Sequence, residues 1–320
     1  MRVQGRPRLR VGISRCLLGE AVRFDGGHKH DPYITETLGR FVEWVPVCPE
    51  VETGLGTPRE SMRLVGTVSG IRLIARNSKT DHTEAMNGFC ARRLEELAGM
   101  GLRGFILKKD SPSCGLMRVP VYGRGDGPGR AGRGLFASAL LKRFPILPAE
   151  EEARLHDMAL RENFIERVFA FDRWLDFVES NPRPKDLVEF HRRHKLALLS
   201  HSRRRCQDLG RIVAAAGDIP MNELLSRYAL AFAAAMAVKT TPAKHAEVLR
   251  RIYGCLKKRI EGEERAEVVG RIEQYRKGMA PLIVPLTLLQ HHSRRNPVPW
   301  MEEQTYLNPC PAELFLRNHV

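Results

Sequence analysis

The first half of the chain alternates short apolar, β-rich runs with amphipathic stretches, and this alternation predicts strands and helices in turn. One predicted helix has Leu94 and Leu97 on a single apolar face. Strands that alternate with helices indicate an α/β domain on a Rossmann-like, mostly parallel sheet. The predicted strands are 8–14, 43–47, 71–75 and 104–108, and the predicted helices are 80–100 and 136–144.

The second half has a helical pattern almost throughout, so an all-α domain is predicted to follow the α/β domain. Pro145 and Pro148 interrupt the earlier pattern, and we place the boundary there. The prediction is an α/β domain at 1–147, a helical linker at 148–180 and an all-α domain at 181–320. Two segments are predicted to be irregular: a Gly- and Arg-rich surface loop at 122–134 and an extended end at 296–320. The predicted helices are 150–177, 184–216, 219–238, 242–258 and 265–277.

The chain is strongly basic, with a formal net charge of +15, of which residues 1–147 carry +10. Such an excess suits a polyanionic partner such as nucleic acid, and it equally suits a solvated basic surface. No apolar run reaches the length of a membrane span, and no apolar segment follows the basic start. We therefore expect a cytoplasmic protein with no membrane association; its oligomeric state is not predicted.

Three of the seven cysteines, Cys16, Cys48 and Cys114, each follow a predicted strand. The carboxyl ends of parallel strands share one edge of a sheet, so these thiols are expected to meet there. Three converging thiolates suit an iron–sulfur cluster with one open iron, or a zinc ion with a fourth ligand. Buried structural cysteines are the alternative. Cys90 falls inside the predicted helix 80–100 and is expected to be such a core residue.

Six sequence blocks, in order over roughly residues 8–145, resemble the signature of the thiouracil desulfurase family (TudS). The resemblance implies a [4Fe-4S] cluster held by Cys16, Cys48 and Cys114, whose open iron takes the sulfur of the substrate. It also implies catalysis by Glu50 and by Ser111 or Ser113, of which Ser111 is slightly preferred. The blocks are Cys16-Leu-Leu-Gly, Arg23-Phe-Asp-Gly-Gly27, Val47-Cys-Pro-Glu-Val51, Gly54-Leu-Gly-Thr-Pro-Arg59, Thr80-Asp-His-Thr and Lys108-Lys-Asp-Ser-Pro-Ser-Cys-Gly115.

A glycine-rich basic loop at 23–30 is a candidate for contacts with a phosphate or a base. Within it, Asp25, Gly26 and Gly27 are assigned to substrate binding, and Arg59 joins them as a phosphate or base contact. A solvated loop, with Asp25 beginning a turn, is the alternative.

Residues 181–320 are similar to the YbgA-type domain, through 187–195, 198–201 and the Tyr306-Leu-Asn-Pro block. The combination of domains resembles the fused, RudS-like tRNA 4-thiouridine desulfidases and implies tRNA as the partner. Desulfuration of free thiouracil, or a non-enzymatic zinc or thiol protein that binds RNA, are the alternatives. A basic helix can follow an RNA backbone, although it can also be a solvated face. The nucleic-acid-binding candidates are Arg192, Arg193, Lys195, Arg203, Arg204 and Arg205.

Overall fold

The computed structural model describes residues 8–67, 70–123, 128–314 and 316–318. It divides into two compact units, Met1–His156 and Asp157–Val320, here called the α/β unit and the helical unit. None of the helices in these ranges is long and apolar enough to cross a bilayer.

The described part of the α/β unit contains eight strands and three α-helices. Four strands form a sheet of order β2-β1-β5-β8, and every pairing in it is parallel. This confirms the predicted α/β class with a mostly parallel sheet. The elements are β1 (Leu9–Ser14), β2 (Val42–Val47), α1 (Pro49–Glu52), β3 (Met62–Thr67), β4 (Gly70–Ala75), α2 (Thr83–Gly99), β5 (Gly104–Leu107), β6 (Val119–Tyr122), β7 (Pro128–Gly132), α3 (Leu135–Arg143) and β8 (Ala149–Glu151).

The core of this unit lies between the parallel sheet and its helices. Phe136 of α3 packs against Phe105 of β5 and Phe89 of α2, with ring centroids 5.7 Å and 6.3 Å away. All three rings are buried, which fixes the helices against the sheet by removing apolar surface from water. Cys90, on α2, is buried and does not line the cavity described below.

A second sheet, of order β4-β3-β6-β7, corrects two predictions. The strand predicted at 71–75 exists, but it pairs antiparallel with β3 outside the parallel sheet. Its first three residues are exposed, and half-buried Ile74 lies between buried Leu73 and Ala75, which suits an antiparallel sheet with one covered face. The loop predicted at 122–134 contains β7, which pairs antiparallel with β6; residues 124–127 lie outside the described part.

The boundary between the units lies later than predicted, after His156 instead of after residue 147. Residues 149–151 do not begin a helix: they form β8, which pairs parallel with β5 through Phe105↔Ala149. A short 3-10 helix, Glu152–His156, follows before the long helix of the second unit begins. The helix start predicted at residue 150 is wrong. Three successive glutamates are typical of a helix start, but here tertiary contacts bury them.

The helical unit confirms the predicted all-α second half, with three changes. The end predicted to be extended, 296–320, contains a short α-helix, Pro299–Glu302, and two short 3-10 helices. The predicted helix 184–216 is two helices, because Ser202 has an extended backbone and its Oγ accepts a hydrogen bond from the Arg205 N–H. A helix at Ile283–Arg295 was not predicted. The helices are α4 (Met158–Glu179), α5 (Pro184–His201), α6 (Arg203–Ala214), α7 (Met221–Met236), α8 (Pro242–Leu256), α9 (Gly262–Arg276), α10 (Ile283–Arg295) and α11 (Pro299–Glu302).

Candidate active site at the carboxyl edge of the parallel sheet

The three cysteines that follow predicted strands line one cavity of about 580 Å³ at the carboxyl edge of the parallel sheet. Cys16 lies in a 3-10 helix directly after β1, and Cys48 lies between β2 and α1. Cys114 lies in the loop between β5 and β6. The topology therefore brings three widely separated thiols to one site, as expected for a doubly wound sheet.

Local hydrogen bonds hold the cysteine loops in place. The Ser14 Oγ, at the end of β1, accepts a hydrogen bond from the Lys108 N–H at 3.0 Å and so ties the ends of two neighbouring strands together. The Ser111 Oγ accepts from the N–H groups of Ser113 (3.2 Å) and Cys114 (3.0 Å), which closes the turn that carries Cys114. Gly134 allows this turn to sit close to α3, since a Cβ there would lie 2.4 Å from the Ser113 carbonyl oxygen.

The thiols share an environment that disfavours the free thiolate. Burial, and after it the neighbouring Cys48, raises the pKa of Cys16 to about 12, while the Lys108 ammonium opposes the shift. Burial also raises the pKa of Cys48, and it raises that of Cys114 well above the usual value, although a hydrogen bond with Ser14 lowers it. A metal that binds here must displace the thiol protons, as metals do at thiolate sites.

The donor set fits a cluster better than a single ion. Within the described ranges, no three His, Cys, Asp or Glu side chains are close enough together to hold one metal ion. In a cubane cluster each thiolate binds a different iron, so the sulfurs need not surround a common centre. Three soft thiols around one cavity satisfy that requirement with Cys16, Cys48 and Cys114.

Glu50 lines the same cavity, and both of its carboxylate oxygens are held by other side chains. Its Oε1 accepts a hydrogen bond from the Ser113 Oγ at 2.9 Å. Its Oε2 accepts from the Arg59 Nε at 3.0 Å and from the Arg59 Nη2. Ser113 is fully buried, whereas Ser111 lines the cavity. The two candidate serines thus have different places: Ser113 orients Glu50, and Ser111 closes the turn at the cavity wall.

The four residues assigned to substrate binding also lie in two different places. Arg59 lines the cavity, but its side chain is only 7% exposed, and its guanidinium donates to Glu50 and to the carbonyl oxygens of Val22 and Gly56. Asp25, Gly26 and Gly27 form a turn outside the cavity wall, in which the Asp25 Oδ1 accepts the Gly27 N–H at 3.0 Å. The arrangement matches the turn interpretation of Asp25.

The sequence did not indicate a role for two glutamates, Glu151 at the end of β8 and Glu152 directly after it. Glu152 pairs with the Lys108 Nζ, and its Oε2 accepts the Lys109 N–H at 2.7 Å. The Glu151 Oε1 accepts the N–H groups of Leu116 (2.8 Å) and Met117 (3.0 Å). These carboxylates therefore hold both ends of the loop that carries Cys114. The local sequence does not predict that these glutamates hold the loop, because their contacts join segments that are distant in the chain.

The basic residues of the helical unit fall into two groups. Arg192 and Arg193 both pair with Glu189, and Arg192 also pairs with Glu303. The remaining candidates are exposed: Lys195 near the end of α5, and Arg203, Arg204 and Arg205 at the start of α6. Arg203 lies 3.7 Å from Glu247, whereas the described residues offer no acidic partner to the other three.

Three histidines of the helical unit, hereafter the low-pKa histidines, are buried or half-buried, and burial lowers the pKa of each. They are His191 (pKa about 4), His194 (about 3) and His245 (about 3).

Comparisons with known proteins agree with this architecture. Residues 11–152 match the family model described as 2-thiouracil desulfurase, and residues 195–311 match that of a protein of unknown function, DUF1722. YbgA of Escherichia coli (strain K12), an uncharacterized protein, is 28% identical over 156 residues, 48% of this chain and 90% of that protein. YbbK of Bacillus subtilis (strain 168), also uncharacterized, is 32% identical over 108 residues, 32% of this chain and 71% of that protein.

A solved structure is also similar, that of the [4Fe-4S]-dependent thiouracil desulfidase TudS. It shares 32% identity and a TM-score of 0.39, over 48% of this chain and 97% of the other. The family match confirms the predicted desulfurase domain, and the similarity to YbgA confirms the predicted kind of second domain.

Proposed function

Since the chain belongs to the 2-thiouracil desulfurase family through residues 11–152, we propose that it is a [4Fe-4S]-dependent desulfidase of thiolated uracil. We propose further that its substrate is 4-thiouridine in tRNA. The observation that carries the first proposal is the cavity lined by Cys16, Cys48, Cys114 and Glu50 together. The overall reaction is a redox-neutral hydrolysis, in which water and the thiocarbonyl group give a carbonyl group and hydrogen sulfide.

Cys16, Cys48 and Cys114 would hold the cluster through one thiolate each. When bound, the cluster supplies a soft Lewis-acidic iron that no protein sulfur occupies, to which the sulfur of the substrate has affinity. Cys90 is excluded from this role because it is buried in α2 and does not line the cavity.

Glu50 is the proposed acid–base group. Its carboxylate faces the cavity while Ser113 and Arg59 hold its two oxygens, so it is fixed in orientation before the substrate enters. A carboxylate held in this way can accept the proton of a water molecule as the water attacks the ring carbon. It can then return the proton to the departing sulfur. Prior orientation of this kind avoids part of the reorganisation cost of the reaction.

The charge around the cavity supports a polyanionic substrate. Basic side chains outnumber acidic ones on its wall, where Glu50 and Asp110 are the acidic residues. Five of the seven basic residues have an acidic partner, and within the described residues Lys29 and Arg76 have none. The exposed arginines at the start of α6 and Lys195 add a basic surface in the other unit. A free base would need neither, whereas an RNA backbone is attracted by both. The basic residues of the cavity wall are Arg15, Arg23, Lys29, Arg59, Arg76, Lys108 and Lys109.

The test is anaerobic reconstitution of the chain with iron and sulfide, with alanine replacing each of the three cysteines singly. We expect the absorbance near 400 nm and sulfide release from 4-thiouridine to be lost in all three variants. Cys90→Ala is the matched control and should keep both. A wild-type chain that binds zinc without such absorbance would refute the cluster. Release of sulfide from free 4-thiouracil but not from thiolated tRNA would refute the tRNA substrate alone.

A further inference from the structure

Phe24 is an exposed aromatic side chain on the wall of the active-site cavity. Three large apolar side chains of the described α/β unit are well exposed: Phe24 (41%), Met117 (41%) and Ile71 (39%). Of these, Phe24 is the one that lines the cavity. Single exposed apolar residues are common on protein surfaces, so exposure alone does not distinguish Phe24 from the other two.

The backbone of Phe24 is held firmly beside the catalytic groups. Its carbonyl oxygen accepts the Arg59 N–H at 2.8 Å, and Arg59 in turn holds Glu50. Two residues earlier, the Val22 carbonyl oxygen accepts from the Arg59 Nη1 at 3.1 Å and lies 3.9 Å from the Cys48 Sγ. Residues 22–24 therefore contact both Cys48, a proposed cluster ligand, and Arg59, which orients the proposed acid–base group.

The turn that follows is also closed by hydrogen bonds. The Arg23 N–H donates to the Gly27 carbonyl oxygen at 3.1 Å, and the Asp25 side chain accepts the Gly27 N–H. The Arg23 guanidinium lies 5.6 Å from the centre of the Phe24 ring. The ring is thus fixed at its backbone and has a cation beside it.

We propose that Phe24 is the stacking surface for the pyrimidine ring of the substrate, a role that rests on the proposed function. Aromatic side chains bind bases through their flat faces, and such stacking is independent of the sulfur atom that reacts. The other apolar residues of the wall have no aromatic face, so Phe24 is the aromatic side chain among the lining residues: they are Val22, Val47, Pro49, Met62 and Pro112. Phe24 would therefore bind the ring, while Glu50 and the thiolates act at its thiocarbonyl carbon and sulfur.

The test compares Phe24→Leu, which keeps apolar volume but removes the aromatic face, with Phe24→Trp and with the control Ile71→Ala. For 4-thiouridine we expect KM to rise about tenfold or more in Phe24→Leu, with kcat within about twofold of wild type. Phe24→Trp and Ile71→Ala should retain the wild-type KM.

Two further measurements isolate stacking from chemistry. The kcat/KM ratio of 2-thiouracil to its non-planar 5,6-dihydro analogue should fall in Phe24→Leu, because only the planar ring loses a contact. Equilibrium dialysis of uracil, which has no sulfur to remove, should show weaker binding to the variant than to the wild-type holoprotein. An unchanged KM together with unchanged uracil binding would overturn the proposal, as would a loss confined to kcat. If the wild-type chain released no sulfide, the proposed function would fail, and uracil dialysis would still decide the role of Phe24.

Discussion

The ion pair between Lys108 and Glu152 gives a quantitative test of how the cysteine loop is held. Replacing Glu152 with Gln removes the charge that faces the ammonium and costs either the ammonium or the Lys109 N–H its carboxylate acceptor, although the ammonium keeps the Lys109 carbonyl oxygen. Breaking a buried pair in this way typically costs about 3–5 kcal/mol. Because the two side chains are 17% and 10% exposed, water replaces part of the interaction, and we expect a loss of about 2 kcal/mol.

The assay is urea unfolding of the apo-chain under reducing conditions, followed by mass spectrometry of thiol labelling. Cys90 is buried in the α/β unit and reports its unfolding, whereas Cys206 is buried in the helical unit and reports the other. With a urea dependence of about 2 kcal/mol per M, the midpoint at Cys90 should fall by about 1 M. The midpoint at Cys206 should not change.

The double variant Glu152→Gln with Lys108→Met decides whether the pair is the cause. Each single change leaves one polar group without its partner, so the double variant should be more stable than additivity predicts. The matched control is Glu95→Gln, which breaks the exposed pair with Arg143 and should leave both midpoints unchanged. Additive single effects, or an equal shift from the control, would refute the view that this pair holds the loop.

Three other outcomes follow from the structure. Glu50→Gln should abolish sulfide release while the absorbance near 400 nm persists, and wild-type turnover would exclude Glu50 as the acid–base group. Arg204→Glu with Arg205→Glu should weaken tRNA binding and make its salt dependence shallower, whereas the same changes at the ion-paired Arg192 and Arg193 should have less effect; equal effects would contradict the assignment to α6. The helical unit should lose stability as the pH falls below about 6.5, because the unfolded chain protonates histidine there while the low-pKa histidines take up protons only near pH 3–4. Burial raises the pKa of Glu162 to about 7, so the folded state binds this proton before the unfolded state does. This offsets about one of the three protons that the unfolded state takes up at the histidines. A urea midpoint at Cys206 that rises between pH 6.5 and pH 5 would refute this balance.

The sequence predicted the parallel sheet because its strands are short apolar runs, each followed by turn residues. The position of each cysteine after a strand predicted the cysteine site, because a residue that follows a parallel strand lies at the carboxyl edge of the sheet. The second sheet was not predicted. The side chains of β3 alternate between the two faces of a sheet covered on one side, and nothing in the sequence shows which strand β3 pairs with.

The finer features of the site depend on contacts between distant segments, which local patterns do not encode. Ser111 and Ser113 are equivalent in the sequence, yet only Ser113 reaches Glu50, 63 positions away. Arg59 was assigned to substrate binding because the sequence does not show that its guanidinium pairs with Glu50. The break at Ser202 is a local feature that the strong helical pattern on both sides obscured.

The glutamates of β8 and the residue after it give the cysteine site an order of assembly during synthesis. A nascent chain emerges from the ribosome with its N-terminus first. Cys16, Cys48 and Cys114 leave the exit tunnel before Glu151 and Glu152, the carboxylates that hold the two ends of the Cys114 loop. Until those residues emerge, the Ser111 turn can close, but the two ends of the Cys114 loop lack their carboxylate contacts. The site therefore reaches its final form only when almost the entire α/β unit is outside the ribosome. Closure of the two ends of the Cys114 loop is thus among the last steps by which this unit completes its fold.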